Sequence, residues 1–191
     1  MVDVVLKCSC GKVNGRANNV SPSSGTRCVC YCSSCQSFAN HLDCSSKILN
    51  ENGGTDIFQM PVSHVKITSG VEQIRCLRLT PKGMFRWYTQ CCQTPIGNTF
   101  SGGAPFMGVI HSFMDDEGER DNNLGSVLGH SFIKFAQPPF SEDVEQAMPL
   151  FRLLFRMFGR LAIWKLKGLN KPSAFFDSGG RPVSDPKIFN K

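Results

Sequence analysis

Tryptophan and tyrosine are scarce in this 191-residue chain, two of each, and charged residues reach only 19%. Low charge beside 15 Phe and 41% hydrophobic residues excludes a disordered chain. The 18 Gly and 11 Pro lack the period of collagen, and no internal repeat or low-complexity tract is present. A clean membrane span is missing too. The longest apolar stretch, residues 148–166, is broken by Arg152, Arg156 and Arg160, each costing about 2.5–3.5 kcal/mol near a bilayer midplane. Residues 1–7 carry Asp3 and too short an apolar run for a secretory leader, so a reducing cytoplasm is the expected compartment. Acid is what the end of the chain lacks. Residues 1–149 hold 12 basic against 13 acidic side chains, and residues 150–191 hold nine against two. The pI of about 8.9 therefore describes a basic tail rather than a general affinity for nucleic acid.

What is present reads first as β-structure broken by turns. Residues 62–68 alternate Val65 and Ile67 with polar neighbours, and residues 73–80 are rich in β-branched and aliphatic side chains. Pro81-Lys82-Gly83 supplies a turn that returns residues 84–89 as a hairpin partner. Two further apolar runs, 107–114 and 126–135, flank an acidic connection at 115–123, which lacks EF-hand ligand spacing and reads as a solvated loop. Ser141, Glu142 and Asp143 cap a helix whose pattern runs towards Gly168, with Pro149 either kinking it or starting a second helix. Residues 171–191, with three prolines and Gly179-Gly180, read as irregular chain laid over the surface. The expectation is a mainly β (α+β), antiparallel domain over residues 1–140 and a helical, irregular extension over 141–191.

Ten cysteines carry the chemistry. Cys8-Ser9-Cys10-Gly11 forms one cluster, and Cys28, Cys30, Cys32 and Cys35 form another. A C-x-C on extended backbone points both sulfurs to one side, and a C-x-x-C on a turn brings two sulfurs to one ion about 2.3 Å from each. Cys30, Cys32 and Cys35 combine both devices, so three thiolates from one short loop can hold a zinc and leave its fourth position open. Disulfides are opposed by the compartment and by the strain of a C-x-C bridge. Cys44 and Cys76, isolated, read as small buried hydrophobes. For Cys28 the spacing leaves ligand and core residue both open.

In their order, these motifs, followed by Arg86-Trp87-Tyr88 and by Cys92-Gln93-Thr94-Pro95-Ile96, resemble the glutathione-dependent formaldehyde-activating enzyme family, which includes centromere protein V. The resemblance covers about residues 5 to 135. It implies a β-tent of small sheets, shared with a Rab exchange-factor superfamily. It also implies a structural zinc on the first C-x-C plus a later C-x-x-C, and a second zinc on the middle three thiolates. This chain departs at one place: the position three before Cys92 is Thr89, and Cys91 stands beside Cys92 instead. Consecutive side chains point to opposite sides of an extended chain. Cys8, Cys10 and Cys92 are thus the comfortable ligands, and the fourth is Cys91 across a bulge, His111, a water or nothing, with Cys91 ranked above the lone histidine.

Zinc bearing three thiolates keeps one negative charge and activates water poorly. It suits holding a soft thiolate or polarising a small aldehyde, in accord with the carbon–sulfur lyase chemistry that the resemblance implies for a small thiol adduct. Tyr31, Ser33 and Ser34 lie in the same loop, without a sequence signal for which faces the open position. The competing reading is a non-catalytic, zinc-stapled interaction module. Its surface would be the helix on which Arg152, Arg156 and Arg160 recur every four residues among Leu, Phe, Met, Ile and Trp. Such a helix needs a partner for a wide apolar face. Packing on its own domain or in a homodimer is favoured over a membrane surface. Nucleic acid lacks support, since no aromatic–basic interleaving is present.

Overall fold

Val4 and Leu6 are buried while Asp3, Val5 and Lys7 face solvent, the period-two pattern of a strand with one wet face. In this computed structural model, which describes residues 1–115, 118–139 and 147–189, they lie on β1 (Val2–Lys7). It pairs antiparallel with β2 (Asn14–Val20), which pairs with β5 (Val65–Ser69), making a three-stranded sheet. The second sheet has eight strands. Its order is β10 (Gly129–Ser131), β3 (Thr26–Cys30), β4 (Thr55–Met60), β9 (Met107–Ile110), β8 (Pro95–Thr99), β7 (Phe85–Thr89), β6 (Ile74–Arg78) and β11 (Lys187–Ile188). All its pairings are antiparallel except those of β10 with β3 and β11 with β6, at the two edges. The protein is thus mainly β with a few helices, and neither sheet closes into a barrel. An expectation of small sheets fits only the first.

The turn at Pro81-Lys82-Gly83 joins β6 to β7 as the sequence suggests, with Gly83 N–H donating to the Thr80 carbonyl at 3.0 Å. Leu6, Phe58, Met60, Trp87 and Phe113 are buried in one core. A second cluster gathers Phe38, Leu42 and Ile48 beside Tyr88, and includes Cys44. Cys76 is buried in the first, as a small apolar residue would be. Phe38 comes from α1 (Ser33–His41) and Ile48 from α2 (Ser45–Ile48). The acidic connection is not all loop: α3 (Arg120–Leu124) forms within it, and its Asp121 pairs with the buried Arg27 on β3.

Residues 140–146, where the capping signals fall, lie outside the described residues. The following helix, α4 (Leu150–Leu166), starts directly after Pro149. It ends where Gly168 takes a φ of +67°, with Gly168 N–H donating to the Lys165 carbonyl and Leu169 N–H to that of Trp164, a Schellman arrangement. Of its three arginines only Arg152 is exposed, and Arg156 and Arg160 do not form the wet face that a stripe of charge suggests. Arg156 Nε donates to Thr26 Oγ1 at 3.3 Å and Arg160 Nη2 to the Ser23 carbonyl at 2.6 Å, so both reach the body of the protein. Only Leu153 and Trp164 of α4 are buried, and Phe155 is 82% exposed. No helix among the described residues is long and apolar enough to cross a membrane.

The tail corrects another expectation. It is irregular, but Phe175 and Phe176 are buried, with ring centroids 5.1 and 5.5 Å from that of Trp87. Aromatic rings so placed remove more apolar surface from water than a surface strap would.

Candidate metal centres

The first cluster is built by two turns facing each other. Past β1, Gly11 at φ +74° lets the chain fold back, so that Gly11 N–H donates to the Cys8 carbonyl and Val13 N–H to Cys8 Sγ at 3.2 Å. Between β7 and β8 a second turn carries Cys91 and Cys92, closed by Gln93 N–H on the Thr89 carbonyl, with Gln93 at φ +56°. Because this segment is a turn, alternation of sides does not apply, and both adjacent sulfurs face Cys8 and Cys10. The Sγ separations are 3.6 Å for Cys8–Cys10, 3.9 Å for Cys8–Cys91, 3.4 Å for Cys10–Cys91 and 3.7 Å for Cys91–Cys92. Thiolates about 2.3 Å from a central ion in a tetrahedron stand roughly 3.8 Å apart. These distances are far above the ~2.05 Å of a disulfide bond.

Hydroxyls hold this group in shape. Thr94 Oγ1 accepts from Ser9 N–H at 3.0 Å, and Cys92 Sγ lies 3.3 Å from Thr89 Oγ1 and 3.2 Å from Thr94 Oγ1. Burial opposes ionisation of Cys92, but hydrogen bonds from Ser9, Thr89 and Thr94 outweigh it and bring the thiol down to about 5. Burial and the neighbouring sulfurs push Cys91 up to about 12, and burial raises Cys8. His111, the other candidate for a fourth ligand, is elsewhere, its Nδ1 3.3 Å from the Asp56 carbonyl.

Cys30 at the end of β3, Cys32 at the N-cap of α1 and Cys35 in its first turn form the second group, with sulfurs within 4.8 Å of one another. Cys35 N–H donates to Cys32 Sγ at 3.3 Å. Cys32 is held far below the usual thiol range by bonds from Cys30 and Cys35, while bonds with Cys30 and Cys32, and burial, push Cys35 well above it. A bound cation would supply the field that ionises the thiols of either group. Both fit a metal ion by spacing and donor type. Cys28 is not in the group: it is fully buried on β3, accepts from Gln59 Nε2 at 3.4 Å, and burial raises its thiol.

The trio opens into a cavity of about 620 Å³ whose lining includes Cys30, Cys32, Ser33, Ser34 and Cys35. Tyr31 turns away, fully buried with its hydroxyl 3.2 Å from His130 Nδ1. Two participants were not marked by motif spacing. Arg86, 4% exposed, donates from Nη1 to Asn98 Oδ1 at 3.0 Å and lies 3.8 Å from Cys35 Sγ. The lone charge within Phe85-Arg86-Trp87-Tyr88-Thr89, a strand otherwise free of charge, was its signal. The other is α4, whose Leu153, Leu154, Met157 and Phe158 form one wall of the cavity.

No curated protein matches this chain. Among solved structures, that of a Rhodobacter sphaeroides protein is similar at 16% identity and a TM-score of 0.43, covering 64% of this chain and 96% of that one. The family model described as a family of unknown function, DUF6151, matches residues 1–187, and the chain belongs to that family.

Proposed function

We propose that the protein binds two zinc ions. Cys8, Cys10, Cys91 and Cys92 hold a closed structural ion, and Cys30, Cys32 and Cys35 hold a second whose fourth position faces the cavity. The supporting observation is the contrast between four sulfurs at tetrahedral spacing and three sulfurs beside open space. In this reading residues 1–140 are the zinc-binding body, residues 141–191 an extension against it, and the setting is cytoplasmic. The motif order supports a carbon–sulfur lyase acting on a thiol adduct, of the kind known for glutathione-dependent formaldehyde-activating enzymes.

When bound at the trio, zinc supplies a soft Lewis acid of low net charge for a sulfur or carbonyl oxygen. The chain's own groups do the remainder. Arg86 offsets the negative charge of three thiolates, and Asn98 fixes its guanidinium. Ser33 and Ser34, with Ser131 and Thr80, are the hydroxyls on the cavity wall that could pass a proton to or from a substrate oxygen.

The outward apolar side of α4 supports the second reading, a zinc-stapled interaction module without catalysis. Native mass spectrometry separates the parts. Two zinc ions per chain are expected, one in Cys32→Ser and one in Cys10→Ser. The lyase reading further expects conversion of a hydroxymethyl thiol adduct by the wild type, lost in Cys32→Ser. Absence of metal from Cys30, Cys32 and Cys35 ends it, whereas a two-zinc protein without such conversion favours the module.

A further inference from the structure

The cavity beside the trio has mainly apolar walls, with Gln59, Thr80, Asn98 and Ser131 as neutral polar side chains besides Ser33 and Ser34. Ile57, Leu79 and Phe106 line it from the body, and Leu154, Met157 and Phe158 from α4. Among the described residues its lining holds no carboxylate and one charged group, Arg86. That group is engaged with Asn98 and stands beside the sulfurs, whose charge it balances. Glutathione, the thiol of the resembling family, carries two carboxylates and an ammonium at neutral pH. Enclosing those charges here would leave them unpaired against hydrocarbon, a cost of several kcal/mol per charge. The volume, about 620 Å³, lies within the usual span of small-ligand sites, roughly 300–1,000 Å³.

We infer that this cavity binds a small apolar thiol, its sulfur directed to Cys30, Cys32 and Cys35 and its hydrocarbon body laid against α4. The inference rests on the zinc reading above for the sulfur end, and on the cavity walls alone for the body. It makes α4 the element that sets ligand choice. Arg86, the one charge of the lining, stands beside Cys35 at the thiolate end, so a ligand with one soft atom and an otherwise apolar surface leaves none of its own polar groups unmatched.

Titration calorimetry on the full-length, zinc-loaded protein tests it with 2-phenylethanethiol, 2-phenylethanol and glutathione. The thiol is expected to bind one per chain, roughly tenfold or more tighter than the alcohol of the same body and than glutathione. Leu154→Asp and Phe158→Asp are expected to weaken it by about tenfold or more, the scale of one lost apolar side-chain contact. Both positions are partly exposed, 39% and 59%, so neither change empties a core site. Phe155→Asp, off the cavity lining, is the control and should bind as the wild type does. Glutathione binding as tightly as phenylethanethiol, or undiminished thiol binding by both α4 variants, overturns the apolar cavity while the zinc site stands. Equal binding of thiol and alcohol overturns the sulfur assignment, and with it the open zinc position.

Discussion

Arg86 is a cation buried on β7 with no carboxylate in contact among the described residues, an arrangement that is costly unless other negative charge compensates it. In the zinc reading the metal-bound sulfurs of the trio supply that charge, and Arg86 Nη1 stands 3.8 Å from Cys35 Sγ. Replacing Arg86 with Met keeps the bulk and removes the charge. Groups that support metal ligands from outside typically change affinity by about 10–100-fold, and such a loss is expected at the trio alone. Competition with a chromophoric zinc chelator should show one weakened site in Arg86→Met and an unchanged site at Cys8, Cys10, Cys91 and Cys92. Two weakened sites, or none, would contradict the pairing. At this scale the grouping of Cys30, Cys32 and Cys35 was readable from short spacing, whereas Cys8 and Cys10 meet Cys91 across more than 80 residues, a pairing that no local spacing fixes. Cys91 was only half readable, since the alternation rule assumes extended backbone, and a tight turn after Thr89 replaces it.

Strands with a single wet face, such as β1, are legible because their period of two survives in composition, and the β6–β7 hairpin because its turn residues are chemically specific. The order of eight strands is not, because pairing across 50 or more residues, as between β4 and β9, leaves no local trace. The five-residue α3 was missed for a related reason: it depends on a distant partner. Arg27 on β3 donates from Nε to both carboxylate oxygens of Asp56 on β4, at 3.1 and 3.2 Å, and from Nη1 to Asp121 on α3. Asp56 is the better shielded of the two acids, its side chain 19% exposed against 84% for Asp121. Removing a shielded partner strands a buried charge, which costs about 3 kcal/mol, while an exposed one is replaced by water with little loss. Urea denaturation should therefore place Asp56→Ala well below Asp121→Ala, whose midpoint stays near that of the wild type. Equal effects would mean that α3, rather than the ladder between β3 and β4, anchors the arginine.

At the scale of the whole molecule the end of the chain does two opposite things. Its helix leaves most of its apolar side chains outside, against the rule by which a stripe of arginine marks the wet face. Guanidinium groups are rich in donors, and the carbonyls of Ser23 and Gly25 give Arg160 and Arg156 a reason to turn inward. That choice was invisible in the sequence, because it depends on where a loop of β2–β3 lies. Its last residues behave as core: Phe175 is fully buried against Trp87. A chain ending at residue 149 therefore loses the filling of its main core as well as the wall of the cavity, and is expected to aggregate. Phe175→Ala separates the causes, since it keeps α4 and removes only the ring. A large buried side chain cut to Ala costs about 3–5 kcal/mol, enough to bring a domain of ordinary stability close to unfolding. If the truncated chain is instead soluble and monomeric, with the denaturation midpoint of the wild type, the aromatic packing on Trp87 contributes nothing and the tail is a detachable module. A low midpoint in Phe175→Ala beside an unchanged one in Phe155→Asp would place a stabilising contribution of the tail in the ring of Phe175 and none in the outward face of α4, the side away from the buried Leu153 and Trp164.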